Sequence, residues 1–281
     1  MKIAIQGGPA SFHDIASRFF FGKEILLECC STFKILCEKL KNKEVDYAVM
    51  AIDNSIAGSI LNNYGLIQKY DLRIIGEIQL RIEQNLMALP GTKLSEIEVA
   101  RSHYMALNQC DEFLSKHPQI KLEEYYDTAD SARYLEQDVK AQNKKIAAIA
   151  SRYAAELYKL DILAESIETV KENYTRFFIL TTDKKYKVEN ADKATLSFHL
   201  PNKVGALADV LRIIVENNIN MTKIQSLPIL GKPNQYTFYV DCEWLKYEDF
   251  KKSIAINSIV EDLKILGEYK KGEMIHDYSR R

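Results

Sequence analysis

Several things are missing from this 281-residue chain, and each absence removes a class of function. Neither sign of charge is in excess: 38 Lys and Arg stand against 39 Asp and Glu, for a net charge of −1. No basic block stands out, which argues against nucleic acid as the main partner, because phosphate binding needs concentrated cations. No apolar run approaches a membrane span in length. The opening MKIAIQGGPASFHD is too short in apolar residues for a signal-peptide core. The five cysteines, Cys29, Cys30, Cys37, Cys110 and Cys242, are odd in number and show no C-x-x-C spacing. They suggest neither a disulfide framework nor a zinc site, and a reducing cytoplasm is the expected location. His13, His103, His117, His199 and His276 show no metal-ligand spacing. There is no G-x-G-x-x-G, no P-loop ending, no G-x-S-x-G elbow, and no repeat or low-complexity tract.

What is present describes a soluble globular protein with room for two domains, 47% hydrophobic and 27% charged. Residues 2–6 alternate and stop at Gly7-Gly8-Pro9, after which Phe12, Ile15, Ala16 and Phe19 recur at helical spacing. Val45–Ile52 reads as a buried strand closed by Asp53-Asn54-Ser55, and Thr128 is expected to open a helix. This alternation predicts an α/β sheet covered on both faces. The stretch NYTRFFIL, residues 173–180, reads as a strand, yet Thr175 and Arg176 interrupt its apolar run. Period two puts Asn173, Thr175 and Phe177 on one face, and Tyr174, Arg176 and Phe178 on the other. The charged run after Thr182 reads as a linker. Beyond it the order βαββαβ is ferredoxin-like.

Polar residues gather where strands end: Asp53, Asn54 and Ser55, then Ser102 and His103, then Thr128 and Thr175. Ligands of open α/β sheets bind beyond the carboxyl ends of strands, and these groups suit a small polar anion. The plainer alternative is that each caps a helix or a turn.

These residues carry a resemblance. NYTRFFIL resembles the Thr-Arg-Phe motif of prephenate dehydratases. IAIQGGPASFHDIA is similar to that family's opening strand and turn, VDYAVMAIDNSIAGSI to its Pro-x-Glu-Asn-Ser region, SHYMALNQC to its Ser-His-Pro-x-x-x-x-Gln-Cys motif, and DTADSA to its Ser-Thr-Ala-x-Ala motif. VGALADVLRIIVENNINMTKIQSLPI resembles the regulatory ACT domain. The resemblance implies a catalytic region over 1–183, resembling periplasmic-binding proteins, with lobes over roughly 1–76 with 165–183 and over 77–164. It implies a linker over 184–193 and an ACT domain over 194–281. Because the chain starts at the first catalytic strand, a form without the family's mutase fusion is expected.

By the same resemblance, Thr175 is the catalytic residue, and Asp53, Asn54, Ser55, Ser102, Gln109, Thr128, Arg176 and Phe177 are substrate-cleft residues. Strand geometry turns Arg176 away from Thr175, so it either touches substrate, locks the lobes, or neutralises a buried acid. Asn202, Gly205, Ala206, Leu207, Gln225, Ser226 and Pro228 are the implied phenylalanine-sensing positions. The chain departs from the family at Asp53, where glutamate is usual, at Arg81 and Gln84, where proline and histidine are common, and at Gln225 and Leu227, which replace a glutamate and an arginine. The implied activity is conversion of prephenate to phenylpyruvate without metal or organic cofactor, under phenylalanine control, in a homodimer or homotetramer. The alternatives are an arogenate dehydratase, using the same motifs on the aminated substrate, or a non-catalytic amino-acid sensor.

Overall fold

Three sheets organise the chain. The computed structural model describes residues 1–143, 145–229 and 231–276, so the last five residues of the expected C-terminal domain lie outside the described residues. The first lobe begins with β1 (Lys2–Gln6), β2 (Leu26–Cys30), β3 (Tyr47–Asn54), β4 (Gly58–Ser59) and β5 (Arg73–Arg81). The second holds β6 (Asn85–Ala88), β7 (Val99–His103), β8 (Lys121–Tyr125), β9 (Ile146–Ala150) and β10 (Asp161–Ala164), in the order β10-β6-β9-β7-β8. The chain then returns as β11 (Tyr174–Thr181), which inserts between β5 and β3 of the first sheet. The crossovers between lobes are therefore residues 82–84 and 165–173. The first falls several residues beyond the boundary expected near 76, because β5 stays in the first sheet through Arg81.

The C-terminal domain forms a third sheet from β12 (Lys193–His199), β13 (Asn220–Pro228), β14 (Tyr236–Glu243) and β15 (Glu261–Tyr269), ordered β13-β14-β12-β15. With helices Ala206–Glu216 and Tyr247–Ser253 this is the βαββαβ arrangement the sequence pattern predicts. The end of the chain then leaves that domain. β16 (Met274–Ile275) pairs in parallel with β5, on the edge of the first lobe's sheet, a return with no signal in the residue pattern.

Helix starts follow local chemistry. Ser11 accepts from the Asp14 amide ahead of helix Phe12–Phe21, and Thr32 accepts from the Ile35 amide ahead of helix Phe33–Lys41. The first sheet is covered on both faces, which explains why β3 and β11 are apolar almost throughout. Ile5, Ile15, Val49, Phe177 and Ile179 fill one side. On the other, Met50, Ile52, Tyr64 and Phe178 share a core with Tyr239, Leu266 and Tyr269 of the C-terminal domain. The two domains thus bury apolar surface against each other. Among the described residues no helix is long and apolar enough to cross a membrane.

One irregularity decides what the first sheet presents. Thr175 pairs with Asn54 and Arg176 with Asp53, but Phe177 pairs with Ala51, so Ile52 has no opposite number. A bulge of this kind places two successive residues toward one face. Strict alternation would turn Asp53 toward Val49 and Phe177; the bulge turns it to the opposite face and returns Asn54 to the face of Thr175. Displaced ladder groups find other partners: the Ala51 amide donates to His13 Nε2 at 3.2 Å, and Asn63 Nδ2 donates to the Ala51 carbonyl at 2.7 Å. The strand therefore continues through Asn54 rather than ending at Ile52.

Two consequences are measurable. A Cβ at Gly267 in β15 would stand 2.1 Å from the Ile74 carbonyl oxygen in β5, so Gly267→Ala must push the domains apart. We expect it to cost roughly 1–3 kcal/mol in thermal or denaturant unfolding. His13 lies against the Phe33 and Phe177 rings, and burial there pulls its pKa from 6.5 down to about 3. Within that window the unfolded chain takes up a proton that the folded chain refuses. His13's share of stability is therefore full above about pH 6.5 and is lost as pH falls toward about 3. Unfolding midpoints against pH should show a shallower acid decline in His13→Gln, which keeps an acceptor for the Ala51 amide.

Candidate active site

At the edge where β3 ends and β11 begins, a short hydrogen-bond chain fixes the Thr175 hydroxyl. Asn54 Nδ2 donates to Thr175 Oγ1 at 3.0 Å and to Asn173 Oδ1 at 2.8 Å. Asn54 Oδ1 accepts from the Ile56 and Ala57 amides, at 3.0 and 2.8 Å. Those two amides can only donate, so the Asn54 amide oxygen must face them and its nitrogen must face Thr175. Thr175 Oγ1 is consequently an acceptor toward Asn54, and its own proton is left to point at a new partner. Ser55 ties the same corner: its hydroxyl donates to the Glu172 carbonyl at 3.0 Å and accepts from the Tyr174 amide at 2.9 Å. Asn173 is fully buried, and its Nδ2 has no hydrogen-bond partner among the described residues. Sequence reading placed Asn173 on Thr175's face but did not single it out.

The opposite face carries charge. Arg176 Nε donates to Glu77 Oε2 at 2.6 Å, and Nη2 donates to the Tyr269 hydroxyl at 3.1 Å. Its Nη1 pairs with Asp241 of the C-terminal domain, and the guanidinium lies over the Phe178 ring, 4.6 Å from its centroid. Desolvation works against this charge, but Asp241 and Glu77 outweigh it and hold the guanidinium well above its ordinary pKa. Asp53 pairs with Lys223 of β13, and Lys223 also donates to Ser59 Oγ at 2.8 Å. Lys193 adds a bond to Glu77 at 3.0 Å.

Several residues expected in the substrate cleft are therefore engaged elsewhere. Asp53 turns to the C-terminal domain because of the bulge. Arg176 is 9% exposed and is consumed by the ion cluster between domains. Phe177 is buried in the first lobe, edge-on to His13, and is not exposed as a cleft wall. Ser102 is fully buried and donates to the Ile149 carbonyl at 2.6 Å, a bond internal to the second lobe. Thr128 is the first residue of helix Thr128–Arg133, but Asp127 caps it, accepting from the Ala129 and Asp130 amides. Gln109 stays half-buried near the crossover, with its Oε1 3.4 Å from Gln84 Nε2.

The lobes meet closely where β1 ends. A Cβ on Gly7 would lie 2.7 Å from Asp127 Oδ2, and one on Gly8 3.0 Å from Asp130 Oδ1. Gly7 also has a φ of +92°, a conformation that side chains resist. The Ser151 hydroxyl donates to the Ala10 carbonyl at 2.9 Å and the Tyr158 hydroxyl to the Pro9 carbonyl at 2.9 Å, stitching the turn to the second lobe. A cavity of about 450 Å³ opens beside this contact, lined by Gln6, Gly8, Cys29, Ser31, Tyr126 and Arg133 among others.

Of the positions implied for sensing, Gly205 precedes helix Ala206–Glu216 with a φ of +84° and is exposed, as is Asn202. On β13, Ser226 and Pro228 are exposed while Gln225 and Leu227 are half-buried. Leu227 packs toward helix Leu61–Lys69, its Cδ2 3.6 Å from where a Cβ on Gly65 would lie.

Known proteins resemble both parts of the chain. Residues 3–185 match the family model described as prephenate dehydratase, and residues 194–243 match the ACT domain. A bifunctional chorismate mutase/prephenate dehydratase of Enterobacter agglomerans is 31% identical, covering 95% of this chain and 70% of its own length. Arogenate dehydratase 5, chloroplastic, of Arabidopsis thaliana is 32% identical, covering 96% of this chain and 67% of its own. Among solved structures, a prephenate dehydratase in complex with L-Phe from Arthrobacter aurescens superposes with a TM-score of 0.85 at 25% identity, covering 96% of this chain and 90% of that one. A protein described as GqqA, a novel type of quorum quenching acylase, reaches 0.85 at 27% identity, with coverages of 97% and 98%.

Proposed function

This chain belongs to the prephenate dehydratase family, and on that footing we propose that it converts prephenate to phenylpyruvate, a step toward L-phenylalanine. The bond between the ring and its carboxylate breaks to release carbon dioxide. The electron pair enters the ring, the carbon–oxygen bond to the ring hydroxyl breaks, and that hydroxide leaves with a proton as water. Aromatisation supplies the driving force, so the protein's task is to orient the substrate and assist the leaving hydroxide.

One observation carries the assignment of roles. Asn54 donates to Thr175 Oγ1, and its orientation is fixed by the Ile56 and Ala57 amides. Thr175 is thereby set to donate its proton outward, to the departing oxygen. Asn54 acts through Thr175 rather than on substrate. The half-buried Gln109 and Thr128 remain candidates for contacts to the substrate carboxylates.

L-phenylalanine is the regulatory ligand we assign to the ACT domain. The matched ACT family and the neighbour solved with L-Phe support this, as does the exposed helix start at Gly205. Leu227 supplies no charge to a ligand; it packs toward the first lobe. A cytoplasmic homodimer or homotetramer is the setting we infer, in keeping with five cysteines free of disulfides. An arogenate preference is the second reading, favoured by a relative of that name at 32% identity.

Turnover of prephenate and arogenate, measured side by side, decides the substrate. Thr175→Ala is expected to lower kcat by about 10²-fold or more with the fold intact, the range for a lost proton donor. Thr175→Ser should retain most of it. Wild-type-like turnover in Thr175→Ala would refute the role given to Thr175.

A further inference from the structure

We propose that Lys223, on the C-terminal domain, is a positioning residue for Thr175 and Asn54, acting through Asp53; the inference rests on the proposed dehydratase reading. Two cross-strand pairs face each other across the domain boundary. In the first lobe, Asp53 of β3 lies opposite Arg176 of β11. In the C-terminal sheet, Lys223 of β13 lies opposite Asp241 of β14. Each pair holds one anion and one cation, and the partners are exchanged between domains: Lys223 binds Asp53, and Arg176 binds Asp241. Each residue on the first lobe's side is the immediate chain neighbour of a residue at the proposed site, Asp53 of Asn54 and Arg176 of Thr175.

The two halves of this exchange are held unequally. Arg176 has Glu77 and Tyr269 besides Asp241, and Asp241 also accepts from the Thr195 hydroxyl at 2.7 Å. Removing one contact there leaves the others. Asp53 sits at the bulge, where the β3–β11 ladder is interrupted, and its bonds are to Lys223 and, more weakly, to Tyr64 Oη at 3.4 Å, with Arg176 Nη1 at 3.5 Å. Lys223 reaches Ser59 as well, which pairs with Asp53 from β4. Its ammonium therefore clamps both strands that flank the turn carrying Asn54, Ile56 and Ala57. A cavity of about 610 Å³ adjoins the clamp, lined by Asp53, Ser59, Arg176, Lys223, Gln225 and Asp241. Displacing Lys223 leaves Asp53 with its weaker contacts to Tyr64 and Arg176 and unties β3 from β4 around the turn whose Ile56 and Ala57 amides orient the Asn54 side chain toward Thr175.

The test combines kinetics with a measurement that needs no substrate. In Lys223→Met, kcat should fall about tenfold or more while KM changes less than about twofold, and Lys223→Arg should retain the activity. In a Thr175→Ala background the same Lys223→Met change should lower kcat by less than about twofold, since the effect runs through the missing hydroxyl. Equal losses in both backgrounds would overturn the proposal. Amide exchange at Ile56 and Ala57 should quicken about tenfold in Lys223→Met, with the β1 amides unchanged. Unchanged exchange at those two positions would also overturn it. Should Lys223→Met fail to fold, Lys223→Gln serves in its place. A wild-type protein that leaves prephenate untouched refutes the dehydratase reading, while the exchange result still judges the clamp.

Discussion

A guanidinium taken out of water has to be surrounded by acceptors, because desolvating an ion costs several kcal/mol that only close partners return. Arg176 meets that requirement with groups from two domains. Glu77 comes from β5 of the first lobe, Asp241 from β14 and Tyr269 from β15 of the C-terminal domain. Lys193 then joins Glu77, and Thr195 joins Asp241. Four of these groups, Arg176, Glu77, Lys193 and Asp241, are charged and nearly excluded from solvent, two of each sign. Each domain brings one charge of each sign, Arg176 with Glu77 and Lys193 with Asp241, but the Arg176–Asp241 and Lys193–Glu77 pairs form only across the boundary. The domain interface is therefore specified by charge as well as by the shared apolar core of Phe178, Tyr239, Leu266 and Tyr269. Gly267 and Gly272 let the backbones come close enough for those bonds to form.

That interface reaches the proposed site through the bulge in β3. Thr175 and Arg176 are adjacent, and so are Asn54 and Asp53. In each couple one residue belongs to the proposed site and the other faces the C-terminal domain. Two strands side by side thus present the proposed site and the inter-domain ion pairs on opposite faces, with a single residue step between them. Ile52 is the extra residue that the bulge absorbs. If Ile52 instead took the place opposite Arg176 in a regular ladder, Asp53 would turn toward Phe177 and bury a carboxylate among apolar groups.

Much of this was legible in the residues. The alternation of NYTRFFIL separates Thr175 from Arg176, and the two faces differ as period two requires. The order of elements after residue 193 predicts the ferredoxin-like sheet because each strand and helix there is bounded by turn or polar residues that separate them. Period two holds only while a strand is regular, and nothing in VDYAVMAIDNS distinguishes a bulge from an ordinary strand end, so the turn of Asp53 toward Lys223 was not legible. Ser102 and Phe177 are buried with partners inside their own lobes, which their place in a motif does not show. The return of β16 to β5 involves two residues, too few for periodicity to register.

The altered residues on β13 follow from the same geometry. Lys223, Gln225 and Leu227 are half-buried, while Thr222, Ile224, Ser226 and Pro228 alternate with them in solvent. The inward face runs from an ion pair at Lys223, past a neutral amide at the cavity, to an apolar contact at Leu227 near Gly65. An arginine at 227 would need an anion where the first lobe offers the apolar surroundings of its shared core. A leucine there turns the end of β13 into a hydrophobic anchor and leaves Lys223 as the charge through which that strand grips the first lobe. Loss of two charges at 225 and 227 therefore does not sever the regulatory domain from the catalytic region. It leaves Lys223 as the charge with which β13 meets Asp53, beside the Arg176–Asp241 and Lys193–Glu77 pairs made by other strands.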